Sequence, residues 1–445
     1  MITLLQYNGA QLFIQTGDAT MNIVTDLLNR KVADKGEAGF TTGAMEHLQN
    51  GPVSVYAGFD PTADSLHVGH LVSILTLARF QRAGHRVIAL VGGATGTIGD
   101  PSGKSEERNL LTIEEVQANA DRIKEQLSSI IAFSGDNSAI MVDNSDWITP
   151  MSIIDWLRDV GKFFSVNAML AKSSVKKRLE SEQGISFTEF TYQTMQAFDF
   201  LALHERHGCT VQLGGSDQYG NITAGIDLIR RKAGAQAYGV VTRLITTANG
   251  EKIGKSAGNA VWLDAEKTTP YDFYQYWMQT TDADLDDFLR VFTFLEGEKV
   301  DKIMAAHMKT PEKQLGQKSL AQEVTALVHG REQAQEMARV SEALFAGGVK
   351  ALQAEELEMV FSAAPRTLID PSQVNGGVAV VDLMTRGNLA QSKSGARRLI
   401  RQGGLYVNGE RITDEDHHIT RDDFVDGSYA LLRAGKKRQH LFQVI

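Results

Sequence analysis

Val53-Ser-Val-Tyr56-Ala-Gly58-Phe-Asp60-Pro-Thr62-Ala-Asp-Ser-Leu-His67-Val-Gly-His70-Leu71 reads as a strand, then a glycine-bearing loop, then the start of a helix. Val53 to Ala57 supplies the β-branched and aromatic run, while Leu71, Ile74, Leu75 and Ala78 form the apolar stripe of the helix. The alternation continues downstream. Arg86 to Gly92 is a second, buried strand, and Glu114 to Ile131 an amphipathic helix. Ala139 to Asp143 and Thr210 to Leu213 are two more strands, the last leading through Gly214-Gly215 into a helix from about Ile222. Strands that alternate with helices build βαβ units, so the fold is α/β with a parallel sheet. Ligands of such sheets collect at the carboxyl ends of the strands, where these glycines lie.

Working outward, 445 residues exceed one compact core and predict several domains. Residues 1–20 contain no Lys or Arg, so they match neither a secretory signal nor a transit peptide, and they read as an extension without assigned function. Residues 21–240 carry the strand–helix alternation. They include a helical insertion at 151–207 with the basic run Lys172-Ser-Ser-Val-Lys-Lys-Arg178. Residues 241–346 are nearly all helix: Pro270 to Gln279, Asp284 to Thr293, Pro311 to His329 and Glu332 to Phe345. The prolines and paired glycines of 347–379 read as a linker, ahead of a terminal module at 380–445.

Composition excludes several classes. A hydrophobic content of 42% with 22% charged residues rules out wholesale disorder. No stretch approaches the roughly 18 apolar residues of a membrane span. The lone Cys209 cannot form an intrachain disulfide or a thiolate metal site, so a reducing cytoplasm is the expected location. The net charge of −9 argues against nucleic acid as a partner, but it is unevenly spread. Residues 380–445 hold eleven basic and eight acidic side chains, a net +3 that leaves −12 for the rest, and such asymmetry points to nucleic-acid contact by the basic part.

Five segments carry chemistry. His67 and His70, three apart at a helix start, direct two imidazoles toward one spot, suited to phosphate; two surface histidines are the bland alternative. Val91 to Ser105 is glycine-rich, yet it is no P-loop, because Ile98 stands where a Walker A glycine is required, and Asn249 fails the same test for Gly254-Lys255-Ser256. Asp100 in that strand end suits an ammonium group, or merely caps a turn. Tyr192, Gln196 and Asp199 fall at i, i+4 and i+7, one helix face, as a pocket lining or a satisfied polar core. Gly214-Gly215-Ser-Asp217-Gln218 offers exposed backbone N–H groups and an acceptor for sugar hydroxyls. Lys252-Ile-Gly-Lys255-Ser256 is a mobile-looking loop whose two lysines suit a leaving group of growing negative charge, unless it is simply a solvated basic loop.

Taken together, these segments resemble class I aminoacyl-tRNA synthetases, and within them the bacterial type of tyrosyl-tRNA synthetase. His67-Val-Gly-His70 is similar to the family's H-I-G-H signature and Lys252-Ile-Gly-Lys255-Ser256 to its K-M-S-K-S loop. The resemblance runs from about Met21 to the C-terminus. It implies a Rossmann-like catalytic domain with an inserted dimerisation region, an α-helical domain, and a C-terminal α+β module similar to the S4 RNA-binding fold, which Leu389 to Arg411 fits.

The resemblance also implies roles. Tyr56 and Asp199 would grip a phenolic hydroxyl; Asp100, Tyr192 and Gln196 would bind the α-ammonium, with Gln218 beside the carboxylate. Gly58, Asp60, Thr62, Gly215 and Asp217 would meet ATP. His67, His70, Lys252 and Lys255 would act on the phosphates, with Lys104 and Arg108 on pyrophosphate. Ala57, Tyr219 and Ile253-Gly254 depart from the family pattern without removing a group the chemistry needs. The implied reaction joins L-tyrosine to ATP as tyrosyl-adenylate and passes tyrosyl to tRNA(Tyr). Mg2+ would come with the nucleotide, no protein metal site is expected, and the enzyme would be a homodimer. A nucleotidyltransferase sharing the H-x-G-H loop and a catalytically silent RNA-binding relative remain the alternatives.

Overall fold

The computed structural model describes residues 22–102, 111–181, 184–256, 259–345, 348–361, 364–435 and 438–445, so the expectation for residues 1–20 lies outside it. The chain divides into two compact units. One runs to Thr268 and resumes over Tyr276–Gly330; the other joins Thr269–Gln275 to Arg331–Ile445.

In the first unit, helices α1 (Ile23–Asn29) and α2 (Ala44–Gln49) precede strand β1 (Ser54–Phe59). There follow α3 (Leu71–Arg82), β2 (Arg86–Val91), α4 (Ile113–Ser128) and β3 (Ile140–Asp143). Five helices come next: α5 (Ser145–Ile148), α6 (Ile153–Asp159), α7 (Val166–Leu170), α8 (Ser173–Leu179) and α9 (Phe187–His207). Then come β4 (Val211–Gly215), α10 (Tyr219–Ala233) and β5 (Tyr238–Thr242). The sheet order is β3-β2-β1-β4-β5, and every pairing is parallel. β2 buries Val87 through Val91 without interruption, as a strand covered on both faces requires. The chain begins at the centre, builds outward through β2 and β3, and returns to build β4 and β5 on the other side. The topological switch point therefore lies between β1 and β4.

The sheet has one strand more than the four read in the sequence. β5 is short and contains Gly239, a residue that weakens a strand pattern. Glycine is required there because a Cβ would stand 2.5 Å from Cγ2 of Ile222 on α10. α9 is fixed at both ends, by the Ser186 hydroxyl accepting from Glu189 N at 3.2 Å and by Gly208 in the left-handed region. Arg178 of α8 forms a bidentate pair with Glu189 at 2.7 and 3.0 Å, both side chains being buried.

Beyond the sheet lie the hairpin strands β6 (Lys255–Ser256) and β7 (Asn259–Ala260) and helices α11 (Pro270–Met278), α12 (Asp282–Phe292), α13 (Gly297–His307), α14 (Leu315–His329) and α15 (Arg331–Phe345). α13 was not anticipated; its Gly297 start obscures the helical signal. The carbonyl end of α12 is held by two arginines. Arg79 Nη2 donates to Val291 O at 2.6 Å and Thr293 O at 3.0 Å, and Arg30 Nη1 donates to Arg290 O and Thr293 O at 3.1 Å each. Cations at the negative end of the helix dipole tie α12 to α1 and α3.

The second unit takes in the start of α11 and all of α15, and continues with α16 (Ala354–Val360), β8 (Arg366–Ile369), α17 (Pro371–Asn375), β9 (Val378–Ala379), α18 (Val380–Arg386) and α19 (Lys393–Arg401). Strands β10 (Leu405–Val407), β11 (Glu410–Ile412), β12 (His418–Ile419), β13 (Tyr429–Ala434) and β14 (Arg438–Val444) complete it. The sheet order is β11-β10-β13-β14-β8. Its core gathers Leu383, Met384, Ile400, Leu405, Leu432 and Phe442. The expected linker at 347–379 is therefore corrected: β8 pairs with β14 and Ile369 joins the core. Its flanking prolines bound structure instead of interrupting it, since Pro365 O accepts from Leu441 N at 2.9 Å and Pro371 opens α17.

Candidate active site

A cavity of about 520 Å³ opens at the carboxyl ends of β1 and β4, at the switch point. Tyr56 and Gly58 of β1, with Asp60 and Thr62 just beyond it, line one wall. His67 and His70 follow in the turn before α3, Asp100 beyond β2, and Tyr192, Gln196 and Asp199 on α9. Gly215 of β4, Asp217, Gln218 and the loop residue Lys252 complete the set. These fourteen expected residues thus meet in one space. Lys104 and Arg108 lie outside the described residues, and so does the Lys255 side chain, whose backbone belongs to β6.

Asp199 is only 3% exposed. Trp147 Nε1 donates to its Oδ1 at 2.8 Å and Asn144 Nδ2 to its Oδ2 at 3.0 Å. Burial nevertheless pushes the carboxyl up to about 8, because desolvation of the charged form outweighs the two donors. Tyr56 stands beside it. Burial, then the nearby Asp199 charge, raises its phenol well above the ordinary value. The Tyr56 hydroxyl is buried without a hydrogen-bond partner among the described residues. Leaving such a group unmade is costly, so an orphaned hydroxyl beside a dry carboxylate suits a ligand that can both donate and accept there, as a phenol can.

A second acidic centre forms around Asp100. Ser102 N donates to Oδ1 at 2.9 Å and Gln218 Nε2 to Oδ2 at 2.6 Å. Gln196 Nε2 donates to Gln218 Oε1 at 3.2 Å, and Asn221 Nδ2 supports Gln196 Oε1 at 2.9 Å. Burial and neighbouring Asp217 raise the Asp100 carboxyl, so a cation bound here would gain by restoring its charge. Tyr192 Oη donates to Asp60 Oδ2 at 2.6 Å, and Thr95 Oγ1 donates to Asp60 Oδ1 at 2.7 Å. Asn144 Nδ2 also reaches Thr95 Oγ1 at 2.8 Å. A continuous chain, Tyr192–Asp60–Thr95–Asn144–Asp199, thus joins the two ends of the acidic wall.

The same cavity carries the histidines. Their ring centroids are 4.0 Å apart. His67 N donates to His70 Nδ1 at 3.1 Å and Gly69 N to His67 Nδ1 at 3.0 Å. Each Nδ1 is thereby an acceptor, so in each neutral ring the proton sits on Nε2. Gly69 is needed, since a Cβ there would stand 2.8 Å from the His67 ring. The Lys252 loop docks on this turn: Val68 N donates to Val261 O at 2.9 Å, and His67 pairs with Trp262 across a β-bridge. Gly254, the residue departing from the family loop, has φ of +96° and packs against Gly69. Carboxylates and basic groups lining one cavity suit a ligand that carries both an ammonium and phosphates.

Sequence reading missed Thr95, Asn144, Trp147, Ser102 and Asn221. Asn144 and Trp147 carry one usable signal: they follow β3 directly, at a carboxyl strand end.

Comparison with known proteins gives the same picture. The family described as tRNA synthetases class I (W and Y) matches residues 48–346, and the tyrosine–tRNA ligase SYY-like C-terminal domain matches residues 356–442. The tyrosine–tRNA ligase of Roseiflexus castenholzii is 47% identical over 405 residues, 91% of this chain and 96% of that protein. That of Geobacillus stearothermophilus is 49% identical over 403 residues, 90% of this chain and 95% of its own. Among solved structures, a C-terminally truncated mitochondrial tyrosyl-tRNA synthetase of Aspergillus nidulans superposes with a TM-score of 0.66 at 30% identity, covering 73% of this chain and 94% of that one.

Proposed function

The chain belongs to the class I tRNA synthetases and acts as a tyrosine–tRNA ligase with ATP as co-substrate, and from that premise we propose how its cavity does so. Tyr56 and Asp199 read the phenolic hydroxyl of tyrosine. Asp100, Tyr192 and Gln196 hold its α-ammonium, with Gln218 beside the carboxylate. Gly58, Asp60, Thr62, Gly215 and Asp217 receive ATP. The observation that carries this reading is the orphaned Tyr56 hydroxyl beside Asp199 in the same cavity as the paired histidines.

The tyrosine carboxylate attacks the α-phosphorus in line, and pyrophosphate leaves. No protein nucleophile is needed, so the enzyme contributes position and charge. His67 and His70 offer their Nε2–H groups to phosphate oxygens. Lys252 and Lys255, with Lys104 and Arg108, neutralise the departing pyrophosphate as its charge grows. The Mg2+ expected with ATP enters as part of the nucleotide. The terminal hydroxyl of tRNA(Tyr) then displaces AMP from the adenylate. Tyrosine-dependent ATP–pyrophosphate exchange tests the assignment: exchange stimulated by tyrosine far more than by phenylalanine is expected, and equal stimulation by both would refute it.

Two further roles follow. α19 exposes Lys393, Arg397, Arg398 and Arg401 on one helix, a basic face for the tRNA backbone. The insertion exposes Ile153, Ile154, Leu157, Val166 and Phe187, the last at 76%, an apolar surface that a second copy of the chain would cover in a homodimer. Among the described residues no helix is long and apolar enough to cross a membrane. Its similarity to bacterial ligases supports a cytoplasmic location.

A further inference from the structure

The Lys252–Lys255 segment is glycine-interrupted and exposed at its start, yet its centre is pinned. Ile253 N donates to Ile245 O at 3.4 Å and Val261 N to Gly254 O at 2.9 Å. Val261 O in turn accepts from Val68 N, beside His67. Gly254 lies against Gly69: a Cβ at 254 would stand 3.0 Å from Gly69 N. One contact comes from a side chain outside the loop. Tyr276, on α11, accepts the Gly254 N–H on its Oη at 2.9 Å. The Tyr276 ring is itself fixed, with its centroid 5.1 Å from that of Trp277 in an edge-on arrangement.

Gly254 N–H is thus satisfied by a phenol on α11, where the loop backbone lies against that of the histidine turn. We propose that Tyr276 is a positioning residue that seats the Lys252–Lys255 loop on the His67–His70 turn, setting the lysines for the leaving pyrophosphate before its charge develops. The role rests on the reaction assigned above. Tyr276 is not among the residues that line the cavity; it acts through Gly254. A loop already seated need not be ordered at the moment of reaction, so the contact favours the transition state over the bound tyrosine ground state. Removing one neutral hydrogen-bond acceptor from a buried N–H corresponds to a change of about three- to tenfold.

The test is Tyr276→Phe, which keeps the ring and deletes only the acceptor. Tryptic cleavage after Lys252 and amide hydrogen exchange of the peptide containing Gly254 are expected to accelerate about three- to tenfold. The kcat of tyrosine-dependent pyrophosphate exchange is expected to fall by a similar factor while the KM for tyrosine stays unchanged. Gly254→Ala, which forces the same backbone away from Gly69, should give the same split. Unchanged cleavage and amide exchange in Tyr276→Phe would overturn the seating, whatever the activity. A loosened loop with unaltered kcat would overturn it as well, as would a lost kcat accompanied by an equal rise in KM for tyrosine. Wild-type protein without tyrosine-dependent exchange would instead refute the activity, and cleavage and amide exchange would still decide the seat.

Discussion

The side-chain amide of Asn144 lies 3.0 Å from Oδ2 of Asp199 and holds that carboxylate in register with the orphaned Tyr56 hydroxyl. Asn144→Leu keeps the branched shape and removes the amide, which deprives Asp199 Oδ2 and Thr95 Oγ1 of a donor and Ala94 N of its acceptor. Such a loss costs about 1–3 kcal/mol. We expect the preference for tyrosine over phenylalanine, measured as the ratio of kcat/KM in pyrophosphate exchange, to fall about tenfold or more. A ratio equal to the wild type would mean that Asp199 needs no such support.

Asp199 also predicts a pH signature. Its carboxyl is pushed up from 3.8 to about 8 by burial, so across that window the folded chain keeps a proton that the unfolded chain releases. Stability from this group is therefore complete at acid pH and is lost as pH rises, by at most about 1.4 kcal/mol per unit. Asp199→Asn does not titrate. In chemical denaturation without substrate, the stability of the variant relative to wild type should improve steadily from pH 5 to pH 8 and level off beyond. A difference that does not vary with pH would place the carboxyl at its ordinary value.

The apolar face of the insertion makes a third prediction. Leu157→Glu puts a charge on the exposed side of α6, where it costs a monomer little and a dimer interface several kcal/mol. Sedimentation should show a dimer for wild type and a monomer for the variant. A wild-type monomer at micromolar concentration would remove the dimer from the account.

The basic face of α19 predicts a separation of activities. Arg397→Ala with Arg398→Ala should weaken aminoacylation by raising the KM for tRNA and should flatten its salt dependence by about one unit per lost phosphate contact. Tyrosine-dependent pyrophosphate exchange should be unaffected. Parallel loss of both activities would mean that the substitutions damage the fold instead of an RNA contact.

Much of this was legible in the sequence, and for identifiable reasons. β1 to β4 are short apolar runs closed by glycine or acidic turns, so period and punctuation agree. Tyr192, Gln196 and Asp199 share a helix face by spacing alone, and the structure puts all three on the cavity wall. The histidine turn was readable because its two rings are neighbours in the chain. What escaped depends on partners far away. Asn144 acquires its meaning from Asp199 and Thr95, Asn221 from Gln196, and Tyr276 from a glycine on a different loop. β8 escaped because its partner β14 is the last strand of the chain, and nothing local marks Arg366 to Ile369 as half of a pair.

The adjacency of β1 and β4 has a consequence for how the enzyme comes into being. Val55 lies beside Val211, and the whole chain from α3 to α9 must have been made before those two strands can meet. The cavity straddles that seam, so a fragment ending before β4 lacks the Gly215, Asp217 and Gln218 side of its lining, however well its own strands have paired. Occupancy by substrate then reports that the last loop has closed. It also rewards closure, because a ligand that binds only the finished sheet draws the folding equilibrium toward it by RT ln(1 + [L]/Kd). During synthesis, tyrosine would act as a chaperone for the enzyme that consumes it.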